Sequence, residues 1–180
     1  MDTSKRVLGA EHPHTLIDIE SLALSYTNQG RWKEAEGLEV QVMETRKRVL
    51  GAEHPDTLRS IANLASTYIN QGWWKEAEGL QVQLMETSKM VHGAEHPHTL
   101  IDIGNLASTY RNQGRWREAE QLEVHVLETR KRVLGADHPD TLRSMAVPTL
   151  KFKNQGWWRH WKLQVLNKFH RRNIEVHNQT

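Results

Sequence analysis

The sequence predicts an all-α fold made of stacked helical hairpins, and two observations lead to this prediction. First, one unit recurs every 42 residues along the 180-residue chain. His-Pro falls at 12/13, 54/55, 96/97 and 138/139, and Gln-Gly at 29/30, 71/72, 113/114 and 155/156. Second, apolar residues within each unit recur at steps of three and four, the period of an amphipathic helix. Such units bury their apolar faces against their neighbours, so the chain is expected to form an array.

The first half of each unit predicts a helix, here called helix A, which is clearest in the second unit. Its apolar stripe consists of Leu58, Ile61, Leu64, Ala65 and Tyr68. Pro55 suits the first helical position, and His54 precedes it as a candidate cap. Gly72 is expected to end the helix in the left-handed conformation that glycine adopts readily. Helix A of this unit is therefore predicted over 55–71.

The second half of each unit predicts a second helix, called helix B, over 73–91 in the second unit. One face carries Trp74, Ala77, Leu80, Leu84 and Val91, and Gly93 follows the last turn. The indoles at Trp32, Trp74, Trp116 and Trp158 are expected to pack in the core. Trp73 and Trp157 stand where the first and third units have Arg31 and Arg115, so each is expected to cover the linker or, alternatively, to contact a partner. Two such helices joined by a glycine turn form an αα-hairpin.

The 42-residue period divides the chain into one partial and four complete units. Residues 1–8 match the end of a helix B, so we expect the chain to begin inside a longer array. Odd and even units also differ, as in Gln-Gly-Arg-Trp against Gln-Gly-Trp-Trp, which indicates duplication of an 84-residue block. The predicted repeats are 9–50, 51–92, 93–134 and 135–180, the last comprising a degenerate repeat and a basic tail.

The fourth repeat departs from the pattern in both helices. Pro148 lies inside helix A, where proline removes one backbone hydrogen bond. Trp161 replaces the small residue that Ala77 provides in the second repeat, which overpacks the contact between the two helices. We therefore expect a kinked or broken helix A near 145–150 and a poorly docked helix B. This repeat is either a solubilising end cap or a degenerating copy.

Composition excludes several classes of protein. There is no cysteine, no apolar run long enough to span a bilayer and no apolar N-terminal signal. These features predict a cytoplasmic protein without disulfides or membrane contact. Residues 141–180 hold 8 Lys/Arg and 1 Asp/Glu, so the positive charge is concentrated in the tail.

Chemical motifs are missing from the sequence, although it contains 11 histidines. His12/His14 and His96/His98 flank prolines and could pair on a metal, but no HExxH pattern accompanies them. There is no glycine-rich phosphate loop and no nucleophile motif. We therefore predict no catalytic residues, no metal, no cofactor and no small-molecule substrate.

The second repeat resembles the tetratricopeptide repeat (TPR) in its 42-residue, kinesin-light-chain-type form. The residues that carry this resemblance are Asn63-Leu64-Ala65-Ser66-Thr67-Tyr68, Gln71-Gly72, Trp74 and Ala77-Glu78. The near-identical units are also similar to the arrays found behind nucleotide-binding switch domains in fungal immune-type proteins. The resemblance implies a right-handed superhelical solenoid of about three and a half to four hairpins, whose helices A line a concave surface.

The resemblance also implies where a ligand would bind. Asn63 and Asn105 match the family asparagine that holds the backbone of a bound peptide. The candidate groove residues are Arg59, Asn63, Ser66, Asn70, Asn105, Ser108, Arg111 and Asn112. An amide can donate to and accept from an extended backbone, and the arginines would favour carboxylates in the ligand. The expected partner is a protein or peptide, with an acidic one favoured.

Three hypotheses about function follow. The first is a non-catalytic scaffold that binds an extended segment on the concave face of helices A. The second is self-assembly into homo-oligomers, because helix A of the first repeat lacks a complete helix B before it and an exposed apolar face often marks an interface. The third, weaker one is nucleic-acid binding by the basic C-terminal tail.

Overall fold

The computed structural model describes residues 6–152, with side chains described for 6–146. Every regular element in that part of the chain is helical. Residues 6–8 are helical and precede the first complete helix. The complete helices are α1 Pro13–Asn28, α2 Trp32–Leu50, α3 Pro55–Gln71, α4 Trp74–His92, α5 Pro97–Asn112, α6 Trp116–Leu134 and α7 Pro139–Phe152. Odd-numbered helices are helices A and even-numbered helices are helices B, so both helices predicted for the second repeat are confirmed to within about one residue.

The signals that begin and end the helices act as the sequence predicts. In the second repeat, Nδ1 of His54 accepts a hydrogen bond from the backbone N–H of Asp56 at 3.1 Å. This bond satisfies one of the N–H groups left free at a helix start. Gly72 ends α3 with φ of +79°, in the left-handed region that disfavours residues with a Cβ. Histidine, proline and glycine residues therefore fix locally where each helix begins and ends.

The chain divides into two compact segments, one up to residue 126 and one from residue 127. In the first segment each helix packs on the next from α1 to α5. Helices A and B contribute alternately to the core clusters, which are Leu16, Ile19 and Val42; Leu58, Ile61 and Leu84; and Met85, Leu100, Ile103, Leu106 and Val126. The prediction of an all-α fold of repeat hairpins is confirmed.

One alanine per repeat lies where helix B meets its neighbours most closely. Ala35 and Ala77 are 0% exposed, and Ala119 is 1% exposed. A methyl group lets helix axes approach, so the residue at this position sets their distance. The alanine that recurs in each helix B of the sequence is therefore required by the packing of that helix.

Polar contacts join each helix B to the helix A of the following repeat. The amide of Gln71 donates to the Glu36 carboxylate at 3.0 Å, and in the next repeat the amide of Gln113 donates to Glu78 at 2.8 Å. Because these residues recur at the 42-residue period, the same bond forms at successive junctions. The polar positions of the repeat therefore help to align one hairpin on the next.

A buried arginine joins three helices at the first junction. The Arg46 guanidinium forms a two-bond ion pair with Glu20 of α1, the second bond measuring 2.8 Å. It also donates to Ser60 Oγ at 2.7 Å and to the backbone carbonyl of Asp56 at 3.3 Å, both in α3. Because the Arg46 side chain is only 4% exposed, these acceptors compensate its positive charge in place of water.

The equivalent contact changes at the next junction. Ser88 replaces the arginine there, and its hydroxyl donates to the Asp102 carboxylate at 2.6 Å. In the segment from residue 127, Arg130 donates to Ser144 Oγ at 2.6 Å, which restores the arginine–serine pairing. The hydrogen bonds between hairpins thus alternate with the same 84-residue period as the sequence.

Glu39 gives a prediction about the pH dependence of stability. Burial raises the pKa of Glu39, and the Thr67 hydroxyl that bonds it only partly offsets this. A carboxyl with a raised folded-state pKa costs stability while ionised, and the cost disappears as the pH falls through that pKa. We expect Glu39→Gln to stabilise the chain by about 1 kcal/mol at pH 7, a usual size for a single substitution.

The second repeat supplies the precedent for that substitution, since Gln81 occupies the same position and is also buried. Urea unfolding of both chains at pH 7 and pH 4 would check the expectation. The advantage of Glu39→Gln must shrink at pH 4. An equal advantage at both pH values would show that the charge of Glu39 is not its cause.

Two expectations need correction. A kinked or broken helix was predicted near 145–150; helix α7 continues through Pro148 to Phe152, so the break is wrong and the kink stays a prediction. A proline removes one bond and bends a helix without necessarily ending it. Trp32 is 39% exposed, so the expectation that the first tryptophan of every helix B lies in the core is also wrong. Trp32 lies in the first turn of α2, and this position limits how much of its indole other residues bury. Helix B of the fourth repeat and the basic tail lie outside the described residues.

Candidate functional site

Helices α1, α3 and α5 share an exposed face, called here the helix-A face. It consists of four equivalent positions per helix, spaced three or four residues apart and so lying on one side of each helix. The residues are Ile17, Ser21, Leu24 and Asn28 on α1; Arg59, Asn63, Ser66 and Asn70 on α3; and Ile101, Asn105, Ser108 and Asn112 on α5. All are exposed except Ser108, which is half-buried.

The asparagines predicted from the sequence reach the surface on this face. Asn63 and Asn70 are exposed on α3, and Asn105 and Asn112 are exposed on α5. Each amide has two N–H donors and one carbonyl acceptor, so it can donate to the C=O and accept from the N–H of a peptide backbone. Rigid helices carry these groups, so a ligand would meet amides that are already in place.

Both serines predicted for the groove already make local bonds. Ser66 Oγ donates to the Ala62 carbonyl one turn earlier at 3.0 Å. Ser108 Oγ accepts from the Arg111 guanidinium at 3.0 Å. A hydroxyl retains acceptor capacity beyond one such bond, but its orientation is set by the helix.

The two predicted arginines are both ion-paired, in different ways. Arg59 stays half exposed and lies 3.0 Å from Asp56 and 3.5 Å from Glu20. The Arg111 side chain is only 11% exposed and pairs with the buried Glu123 of α6. Burial accordingly lowers the pKa of Arg111. These carboxylates neutralise the charges that were expected to attract an acidic ligand.

Three aliphatic side chains on the helix-A face were missed by the reasoning from sequence. Ile17 is 48% exposed, Leu24 is 60% exposed and Ile101 is 50% exposed. Ile17 and Ile101 occupy the position that Arg59 holds in the second repeat. Comparison of the units at the 42-residue spacing contained this signal, because the two isoleucines align with Arg59, but the sequence reasoning did not consider them.

The residue before each helix B covers the tyrosine of helix A. The Trp73 ring stacks on Tyr68 with 5.6 Å between ring centroids. The Arg31 guanidinium lies 4.2 Å from the Tyr26 ring centroid, and Arg115 lies 4.0 Å from that of Tyr110. Both residue types make the same contact, by stacking or by cation–π attraction. Trp73 thus packs on its own hairpin, as the first of the two sequence interpretations expects.

The 42-residue hairpins and their exposed polar face define the chain as an α-helical repeat protein. A tetratricopeptide repeat model matches residues 19–56, 57–98 and 103–140, which is more than half of the chain. The chain therefore belongs to the tetratricopeptide repeat family, whose repeats generally mediate protein–protein interaction and are typically non-enzymatic. Curated proteins give no match.

Solved structures place the chain among the kinesin-light-chain-like members of this family. It is 28% identical to the nearly identical TPR-like repeats of a kinesin light chain-type protein from Podosopora anserina, with a TM-score of 0.79 over 99% of this chain and 83% of that one. A single-substitution form of those repeats is 29% identical, with the same TM-score, over 99% and 82%. BtubC (BKLC) from P. vanneervenii shares the fold at 17% identity, with a TM-score of 0.70 over 92% and 65%.

Among the described residues, no helix is long and apolar enough to cross a membrane. In the same part of the chain, no group of three or more histidine, aspartate or glutamate side chains could hold a metal ion. The cytoplasmic location and the basic-tail hypothesis stay predictions from the sequence.

Proposed function

We propose that this chain is a non-catalytic scaffold that holds an extended segment of a partner protein against the helix-A face. The observation that carries the proposal is the exposure of amides at matching positions on α3 and α5. Asn63 and Asn105 stand one repeat apart in the sequence and are both exposed. Matching amides on consecutive repeats can bond separate peptide groups of one extended strand, whatever its side chains are.

The described side chains support a partner segment that carries aliphatic residues. Ile17, Leu24 and Ile101 offer apolar surface beside the asparagines. Exposed aliphatic groups gain roughly 25 cal/mol per Å² of apolar surface that a ligand removes from water. Arg59 and Arg111 already have carboxylate partners, so the acidic ligand expected from the sequence has little support. Backbone recognition by amides with apolar side-chain contacts is the mode we propose.

A preformed face favours binding energetically. The helices A are fixed by buried residues such as Ile61 and Ile103, which are at most 2% exposed. Little conformational entropy of the scaffold is lost when a ligand binds, and the main entropic cost is the ordering of the ligand segment. Affinity would therefore depend on how many amide and aliphatic contacts one segment makes together.

Self-association has one supporting observation and one opposing one. Ser25 is exposed on α1, whereas the equivalent Thr67 and Thr109 are buried beneath the preceding helix B. The aliphatic core of α1 is covered, however, since Leu16 and Ile19 are buried with Val42. The side of α1 that carries Ser25 is thus mainly polar, and self-assembly through this side stays a prediction from the sequence.

The test of the scaffold proposal is the double substitution Asn63→Ala and Asn105→Ala. Partners are first isolated by pull-down with the whole chain and identified, and their affinities are then measured with purified proteins. Two lost hydrogen bonds at roughly 1 kcal/mol each predict about a tenfold to thirtyfold weaker affinity. Circular dichroism must show unchanged helicity, which is expected because both residues are exposed.

A matched control uses exposed residues on the helix B of the second repeat instead of on the helices A. Gln83→Ala and Glu86→Ala lie on α4, and both residues are exposed. They should leave the affinity unchanged. A double-asparagine variant that binds the same purified partner as tightly as the original chain would refute recognition by these amides.

A further inference from the structure

The junction between the second and third repeats holds an arginine side chain between two carboxylates and a tyrosine ring. The Arg115 guanidinium donates to Glu78 of α4 at 2.8 Å and to Glu118 of α6 at 2.7 Å. It also lies 4.0 Å from the Tyr110 ring centroid. Guanidinium groups form paired hydrogen bonds with carboxylates and stack on aromatic rings, so these three residues together form a cradle for one guanidinium.

The first junction has the same cradle without an arginine in it. One 42-residue period earlier, the two carboxylates are Glu36 of α2 and Glu76 of α4, and the tyrosine is Tyr68. Trp73 stands in place of the arginine. Within residues 6–146, no arginine, lysine or histidine forms an ion pair with either of these carboxylates. The first junction therefore keeps the anionic groups of the cradle and lacks their cation.

The carboxylate in the first turn of helix B pairs with arginine in the other two repeats. Arg31 pairs with Glu34 at 3.0 Å in the first repeat, as Arg115 does with Glu118 in the third. Glu76 holds this position in the second repeat. Two of the three repeats thus show which chemical group this position accepts.

Neutral hydrogen bonding does not fill the cradle at the first junction. Glu36 accepts from the Gln71 amide at 3.0 Å. At the second junction, Glu78 accepts the equivalent bond from Gln113 at 2.8 Å and still binds Arg115. A carboxylate has about four lone-pair sites, so the amide leaves Glu36 able to accept from a guanidinium.

Trp73 supplies an aromatic surface where the other repeats supply a cation. Its ring stacks on Tyr68 with 5.6 Å between the ring centroids, and 41% of the residue is exposed. Tryptophan is the aromatic side chain that attracts guanidinium and ammonium groups most strongly. A cation that approaches from solvent would therefore meet an indole in place of the tyrosine ring.

The charges around the two tyrosines differ in the same way. Burial raises the pKa of the Tyr68 hydroxyl, and the carboxylates of Glu36 and Glu76 raise it further. Burial raises the pKa of Tyr110 as well, but there Arg115 acts in the opposite direction. Both carboxylates of the first junction thus lie within electrostatic range of the ring that the indole covers.

We propose that Glu36, Trp73 and Glu76 form a binding site for an arginine side chain of a partner protein. The guanidinium would bridge the two carboxylates and stack on the indole, and so join the helices B of two repeats as Arg115 does at the next junction. Arginine is favoured over lysine because its planar guanidinium presents several donors at fixed angles, whereas an ammonium is a compact point charge. The site uses none of the residues of the helix-A face, so the inference does not rest on the proposed function.

The test follows the backbone amide NMR signal of Glu76 while N-acetyl-arginine amide is added to the whole chain. Exposed ion pairs and cation–π contacts are weak singly, so we expect saturable binding with a dissociation constant on the order of millimolar. N-acetyl-lysine amide should bind more weakly. Removing both charges, by Glu36→Gln together with Glu76→Gln, should weaken arginine binding about tenfold.

The matched control removes two charges elsewhere on the same helices. Glu44→Gln in α2 and Glu86→Gln in α4 change exposed residues that lie two or more helical turns beyond the site. That distance exceeds the screening length of about 8 Å at physiological salt, so arginine binding should stay unchanged. Equal weakening by both pairs of substitutions would show general charge attraction and overturn the site, as would the absence of a saturable shift far above millimolar arginine.

Exchanging residues between repeats gives the decisive comparison. Trp73→Arg introduces the native residue of two equivalent positions, Arg31 and Arg115, so this chain should fold, fill the cradle from within and lose binding of added arginine. Arg115→Trp should empty the cradle of the third repeat and create a second site, followed at Glu118. Circular dichroism checks that both chains fold. A Trp73→Arg chain that binds arginine as tightly as the original, or a folded Arg115→Trp chain without a second site, would refute the proposal.

Discussion

Replacing Arg46 with alanine is expected to destabilise the chain by about 3 kcal/mol or more, the usual cost of leaving one member of a buried ion pair without its partner. Arg46 bonds Glu20 of α1 and Ser60 of α3 from its place in α2. Its removal leaves the partly buried Glu20 carboxylate with only the half-exposed Arg59, at 3.5 Å, and removes the contact that joins three helices. In a chain of this size the midpoint of thermal unfolding should fall by roughly 6–12 °C.

The measurement is thermal and urea unfolding followed by circular dichroism, with Arg48→Ala as the matched control. Arg48 lies on the same helix, is well exposed and pairs with Glu11 at 2.8 Å. Exposed pairs contribute little, so the control should change stability by less than about 1 kcal/mol.

A second variant identifies the cause. Combining Arg46→Met with Glu20→Met removes both charges, and the double variant should recover much of the lost stability because no buried charge is left unpaired. If Arg46→Ala proved no worse than Arg48→Ala, the three-helix contact would not contribute to stability. If the double variant proved as unstable as Arg46→Ala, packing rather than charge would be responsible.

Replacing Ala77 with tryptophan is expected to have a comparable effect, for a steric reason. Ala77 is 0% exposed and lies where α4 meets its neighbours. Adding even a few methylene groups to such a contact typically costs 1–3 kcal/mol, and an indole adds far more volume. We expect a loss of at least about 3 kcal/mol, seen as a lower unfolding midpoint and a broader transition.

The control for size alone is Lys75→Trp, since Lys75 is exposed on the same helix two residues earlier. It should leave the unfolding midpoint within a few degrees. This substitution also bears on the fourth repeat, where Trp161 occupies the alanine position in the sequence. If Ala77→Trp folds with unchanged stability, the contact can expand, and the expectation of a poorly docked fourth helix B loses its physical basis.

The sequence by itself determined the helices, their ends and their family. These features are local: histidine and proline begin a helix within one turn, glycine ends it through its own backbone freedom, and apolar residues at three- and four-residue steps mark its buried side. Because the same local signals recur every 42 residues, the hairpin plan could be predicted without coordinates. Asn63 and Asn105 were likewise predictable as exposed residues, since they lie off the apolar stripe.

Only the tertiary structure decided which of the remaining side chains a ligand or ion could meet. Arg111 looked available in the sequence, yet it pairs with Glu123 on a neighbouring helix. Ile17 and Ile101 were not considered in the sequence, yet both are about half exposed on the helix-A face. The helical period of the sequence shows on which side of its own helix a side chain lies. Whether that side chain is buried or ion-paired depends on which residues of the neighbouring helix lie opposite it. Those residues are known only from the packing of the helices.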